Sequence, residues 1–129
     1  VTDITFMASI EQAPSTREKG QAAEDRAADY LLAHGYAILS RNYQSRRGEI
    51  DCVARDPSGT IAFVEVKSAR RGSSLHPFFR VTRAKQMKLV SMARQYRGEH
   101  SLTDTPCRFD VIAVQAGRVE HLKNAFLAA

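Results

Sequence analysis

Cysteine is scarce: Cys52 and Cys107 are the only two in 129 residues, too few for a disulfide framework. A chain of this length buries a core without such help. Both fall in or beside predicted strands, where an isolated cysteine serves as a small buried hydrophobe, so free thiols and a reduced cytoplasm are expected. No apolar run approaches the roughly 20 residues that span a bilayer, so a soluble protein with no membrane partner is expected. Repeats and low-complexity tracts are also missing, and the length is that of one domain. Acidic residues vanish from one long stretch: between Val66 and Gly98 there is no Asp or Glu.

That stretch holds Lys67, Arg70, Arg71, Arg80, Arg83, Lys85, Lys88, Arg94 and Arg97, within a formal net charge of +5. A run of like charges is often a solvated helix face. Beside a group of carboxylates it reads better as a phosphate-binding surface, with Arg70, Arg71, Arg80, Arg83, Lys85 and Lys88 as its expected contacts. The acids gather elsewhere, at Glu24, Asp25 and Asp29 and again at Glu49, Asp51 and Glu65.

Residues 1–14 show no sustained period and are expected to form a mobile arm preceding a domain over 15–129. Ser15-Thr16-Arg17-Glu18 has the pattern of a capping box, and the helix it opens is predicted to run to about His34 and stop at Gly35. Gly20, Glu24, Ala27, Ala28 and Leu31 share one face of it. An acid on a small-residue stripe is unusual. Strands are predicted at Tyr36–Tyr43, Glu49–Arg55 and Thr60–Lys67, the last two joined as a hairpin by the turn Asp56-Pro57-Ser58-Gly59. Ala69–Arg80 reads as a loop. Thr82 caps a second helix reaching about Arg97, with Gln86, Leu89, Val90, Ala93 and Tyr96 on its inward stripe. A fourth strand is expected at Arg108–Val114 and a short fifth at Val119–Leu122. The order α-β-β-β-α-β-β predicts an α/β fold, a mixed sheet with a helix on each face and the third and fourth strands parallel.

Within the apolar run Ile61–Lys67 two charges emerge on the same side, because Glu65 and Lys67 share a face while Val64 and Val66 take the other. Burying a carboxylate and an ammonium there costs several kcal/mol per uncompensated ion, roughly. A salt bridge between strands is the plain explanation, yet it sets two carboxylates, Asp51 and Glu65, against one lysine. A divalent cation on Asp51 and Glu65, with Lys67 aimed at a water or a phosphate oxygen, accounts for all three charges. Glu49 divides evenly between an exposed edge residue and a support for that site. Asp110, next to Arg108, is expected to be its structural partner.

The helix-borne Glu24, Gly48-Glu49-Ile50-Asp51, Phe63-Val64-Glu65-Val66-Lys67, Thr82-Arg83-Ala84-Lys85-Gln86 and Arg108-Phe109-Asp110-Val111 occur in an order that resembles the YraN-like family of uncharacterised bacterial proteins. Lys19-Gly20, Arg41-Asn42-Tyr43 and Asn124-Ala125-Phe126 match as well, so the resemblance covers about residues 17–126. That family is similar to the PD-(D/E)xK superfamily with its restriction-endonuclease-like fold, also used by archaeal Holliday-junction resolvases. The resemblance implies acidic metal ligands at Asp51 and Glu65, a catalytic lysine at Lys67, a further ligand at Glu24 and a polar residue beside the metal at Gln86. Ile50 stands where the superfamily has proline. The expectation is a Mg²⁺- or Mn²⁺-dependent endonuclease-like protein acting on nucleic acid, DNA ahead of RNA, with branched DNA among the candidate substrates. The alternative is a nucleic-acid-binding module that keeps the fold without turnover. Monomer and homodimer are both left open.

Overall fold

The computed structural model describes residues 15–69 and 80–128. The expected arm at 1–14 and the expected phosphate contacts Arg70 and Arg71 lie outside the described residues. Seven elements follow in order: α1 (Thr16–Ala33), β1 (Ala37–Ser45), β2 (Gly48–Arg55), β3 (Ile61–Ser68), α2 (Arg83–Glu99), β4 (Cys107–Gln115) and β5 (Arg118–Phe126). This is the predicted α-β-β-β-α-β-β order. No helix among the described residues is long and apolar enough to cross a membrane.

Local chemistry sets the element ends. Ser15 Oγ accepts from Glu18 N–H at 3.2 Å while Glu18 Oε2 accepts from Ser15 N–H at 3.4 Å, which satisfies two N–H groups at the start of α1. At the other end Tyr36 N–H reaches Leu31 O at 3.0 Å and Gly35 N–H reaches Leu32 O at 3.1 Å. Such a close needs a left-handed residue after the helix, and Gly35 supplies it at φ 83°. In the β2–β3 turn Asp56 Oδ1 accepts from Ser58 N–H at 2.8 Å and Thr60 N–H at 3.0 Å. Thr82 Oγ1 caps α2 through Lys85 N–H at 3.2 Å. The first turn of α2 carries Arg83 and Lys85 and no acid. Cations at a helix N-terminus oppose the helix dipole, at a cost of about 0.3–1 kcal/mol each.

The five strands lie in the order β1-β2-β3-β4-β5, with β3 and β4 parallel and every other pair antiparallel. Helix α1 covers one face, where Ala23, Ala27 and Leu31 pack on Cys52, Ala62, Val64 and Ile112. On the other, α2 packs Leu89, Met92, Ala93 and Tyr96 on Ile50, Ile61, Phe63, Phe109 and Val111. Cys52 and Cys107 are free, as expected.

Strand β5 is longer than predicted, ending at Phe126 instead of Leu122. Its pairing with β4 shifts register between Phe109 and Val111, opposite Asn124 at φ 55°, and the strand then resumes so that the Phe126 ring stacks on Phe109 at 4.7 Å. The shift hides the strand's period. It also builds a polar knot around Asp110, which is only 1% exposed. Its carboxylate accepts from Arg108 Nε at 3.1 Å and Asn124 N–H at 3.1 Å, and lies 2.7 Å from His121 Nε2. Arg108 continues to Asp56 and to Tyr36 Oη, tying β4 to the β2–β3 turn. Asp110 is thus the structural partner of Arg108.

Candidate metal centre

Alternation along β2 breaks at one place, and the site stands there. Cys52 and Ala54 face α1 whereas Ile50 and Val53 face α2, so the two-residue period slips around Asp51. The β2–β3 ladder ends at the pair Cys52 and Val64. Beyond it Asp51 Oδ2 takes the Val66 N–H at 2.8 Å, so a carboxylate replaces the strand carbonyl that would otherwise accept that bond. On β1 the neighbouring irregularity is Asn42, left-handed at φ 55°. Asparagine is among the few residues that accept this conformation at low cost.

Asn42 draws two acids together. Its Nδ2 donates to Glu24 Oε1 at 2.8 Å and to Glu49 Oε1 at 2.7 Å, linking α1 to β2. The preceding residue repeats the link, with Arg41 Nη2 on Asp25 Oδ1 at 2.7 Å. One carboxylate oxygen from each of Glu24, Glu49 and Asp51 falls within 4.8 Å of the other two. Glu65, 8% exposed, joins from β3. These four acids and three cations, Arg47, Lys85 and Lys88, line one cleft of about 420 Å³ between the start of α2 and the slipped end of β2.

The sequence-predicted residues divide. Asp51, Glu65 and Glu24 meet in the cleft, and Glu49 completes the group that the residues alone had left even. Lys67 continues the Glu65 face but does not line the cleft, and it forms no ion pair among the described residues. Lys85 stands there instead, its Nζ 2.7 Å from Glu65 Oε2. Gln86 Nε2 donates to Val81 O at 2.9 Å and lines a separate groove with Arg83 and Arg94. Arg80, Arg83 and Lys88 are exposed. Asn42 and Arg47 were not legible as site residues, although Asn42 sits in a quoted motif and a lone asparagine between strand residues is a signal for a left-handed kink.

Burial pushes the Asp51 carboxyl up, to about 8, reinforced by the Glu65 carboxyl that shares its hydrogen bond and opposed by the Val66 N–H. Fully ionised, the four acids of the cleft would exceed what its three cations neutralise, and Glu65 Oε2 lies 2.7 Å from the Lys85 ammonium. Hard carboxylate oxygens of this kind suit a divalent cation.

The raised Asp51 value carries a signed prediction. Because the folded-state value lies above the ordinary 3.8, the folded protein keeps a proton the unfolded chain has released. Its contribution to stability is complete below about pH 4 and is lost as pH rises through about 8. The melting temperature of metal-free protein is expected to fall between about pH 4 and 8 and to level off above that. A cation displaces that proton, so Mn²⁺ affinity is expected to rise by up to about tenfold per pH unit from 6 to 8 and then level off. A pH-independent affinity would contradict both.

The comparisons with known proteins follow this geometry. Residues 23–114 match the uncharacterised protein family UPF0102. A UPF0102 protein of Ralstonia nicotianae is 44% identical over 117 residues, covering 88% of this chain and 89% of that protein. Another from Trichlorobacter lovleyi is 46% identical over 112 residues, covering 83% and 88%. Among solved structures, a complex of EndoMS with double-stranded DNA aligns with TM-score 0.41 and 20% identity over 84% of this chain, and a repair endonuclease from Pyrococcus abyssi with TM-score 0.37 and 20% identity over 79%. This chain spans 38% of each of those two proteins. The length and identity of the sequence match decide the matter: the chain belongs to the uncharacterised protein family UPF0102, the YraN-like family that its motifs resemble.

Proposed function

We propose that this protein is a Mg²⁺- or Mn²⁺-dependent endonuclease-like phosphodiester hydrolase acting on DNA, carried by one domain over residues 15–129. The observation that carries this reading is the convergence of Asp51 and Glu65, from two strands whose ladder has just ended, with Glu24 and Glu49 at the foot of a basic helix. Asp51, Glu65 and Glu24 would hold the metal, with Glu49 beside them. A divalent cation held there would supply positive charge for the phosphoryl oxygens and would acidify a water. Asn42 fixes the approach of Glu24 and Glu49. Lys67, on the face of β3 shared with Glu65, would orient the attacking water or balance charge on the phosphoryl oxygens. Arg80, Arg83, Lys85 and Lys88, together with Arg70 and Arg71, would hold the backbone phosphates.

The rival reading is a nucleic-acid-binding module without turnover. One observation favours it: Lys67 does not line the acidic cleft. A panel of single-stranded, duplex, flap and four-way-junction DNA with Mg²⁺ and with Mn²⁺ separates the two. Metal-dependent cutting of any substrate supports the hydrolase, and binding without cutting on the whole panel supports the module.

Both readings share an electrostatic prediction. With about five phosphate contacts, log affinity for duplex DNA is expected to fall against log salt with a slope of about −4 to −5. Arg83→Glu with Lys88→Glu is expected to flatten the slope by about 2. A salt-independent affinity would point to a protein partner.

A further inference from the structure

We propose that Lys85 is the resident counter-ion of the acidic cleft, which yields Glu65 to the divalent metal and turns to the substrate phosphate once the metal is bound. This rests on the metal-binding reading above. The geometry is asymmetric. The Glu65 side chain is 9% exposed and fixed on a central strand, whereas that of Lys85 is 48% exposed, on a flexible stem in the first turn of α2. Helix electrostatics disfavours a cation at that position, so the carboxylates must hold it there. The field on its ammonium comes from Glu65 first, then from Asp51 and Glu49.

The contact is a close ion pair at 2.7 Å, and its Lys85 end is the solvent-exposed one that can swing away. A divalent ion on Glu65 Oε2 would sit within a few ångströms of the ammonium. Two like charges so near in a partly buried cleft repel strongly, and the mobile one leaves. The open side of the cleft, where Lys85 is exposed, is where phosphate oxygens complete the shell of a hard cation. One ammonium therefore opposes metal binding before substrate arrives and binds substrate afterwards. Lys88, one turn further along α2, lines the same cleft with no carboxylate partner among the described residues and so serves as the control.

The test is a titration of Mn²⁺ alone into wild-type protein, Lys85→Met, Lys88→Met and Asp51→Asn at constant pH. Lys85→Met is expected to bind Mn²⁺ about three- to tenfold more tightly than wild type, and Lys88→Met within about twofold of it. Asp51→Asn is expected to lose binding. If Lys85→Met and wild type bind equally while Asp51→Asn does not bind, Lys85 is an ordinary surface ion pair; the inference falls and the metal site stands. An Asp51→Asn protein that binds like wild type sinks the metal site and this inference with it. Should Lys85→Met fail to give a wild-type melting curve, Lys85→Gln provides the same comparison.

Discussion

Asp51→Asn is expected to lower DNA cleavage by roughly 10²- to 10³-fold or more, the scale of losing one charge-stabilising group, while raising the melting temperature of the metal-free protein above about pH 8. Both follow from one location. Asp51 is a half-buried carboxylate held near Glu65 and Glu24, and its charge is unfavourable in the folded state. Asparagine keeps an oxygen that accepts the Val66 N–H, so the end of the β2–β3 ladder survives. What should be lost is metal binding, and what is gained is relief from a desolvated charge. Lys67→Ala is the companion: cleavage is expected to drop by roughly 10²- to 10⁴-fold, as for a positioned acid–base group, with duplex affinity changed only modestly. Cleavage surviving both substitutions would belong to a contaminant or to another site.

Asp110→Ala is expected to cost about 3–5 kcal/mol of folding stability, because it leaves buried groups that were paired with a charge. Arg108 Nε, His121 Nε2 and the Asn124 N–H all converge on that carboxylate, and the side chain is wholly inaccessible. For a chain of this size the loss corresponds to a fall in melting temperature of about 10–20 °C. Asp110→Asn keeps an acceptor and is expected to lose less. Urea denaturation of the two variants measures this, and a loss below about 1 kcal/mol for Asp110→Ala would contradict the role assigned to the knot.

Much of this arrangement was legible in the residues. Asp51 and Glu65 stood out because a charge inside an apolar strand demands a partner, and Glu24 because an acid on a stripe of alanines does. The β2–β3 pairing followed from the hairpin turn at Asp56–Gly59, and the parallel sense of β4 from the connection through α2. The misses share a cause. Alternation assigns Lys67 to the face of Glu65, but how far along that face a cleft extends depends on where the neighbouring helix begins. Lys85, at that helix start, reaches Glu65 across a gap that no spacing within β3 encodes. Asn42 escaped, and Glu49 stayed evenly divided, for a similar reason: the kink that joins them to Glu24 breaks the period by which strand faces are read. The final turns of β5 were lost to the shift at Asn124.

Paramagnetic broadening of backbone amide signals by substoichiometric Mn²⁺ tests the central claim most directly, because it locates the ion. The acidic cleft predicts that Glu24, Glu49, Asp51 and the amides of Glu65 and Val66 broaden first, and that Asp51→Asn abolishes the effect. Broadening centred instead on the exposed acids Asp29 and Asp104, or unchanged in Asp51→Asn, would contradict a metal centre between β2 and β3.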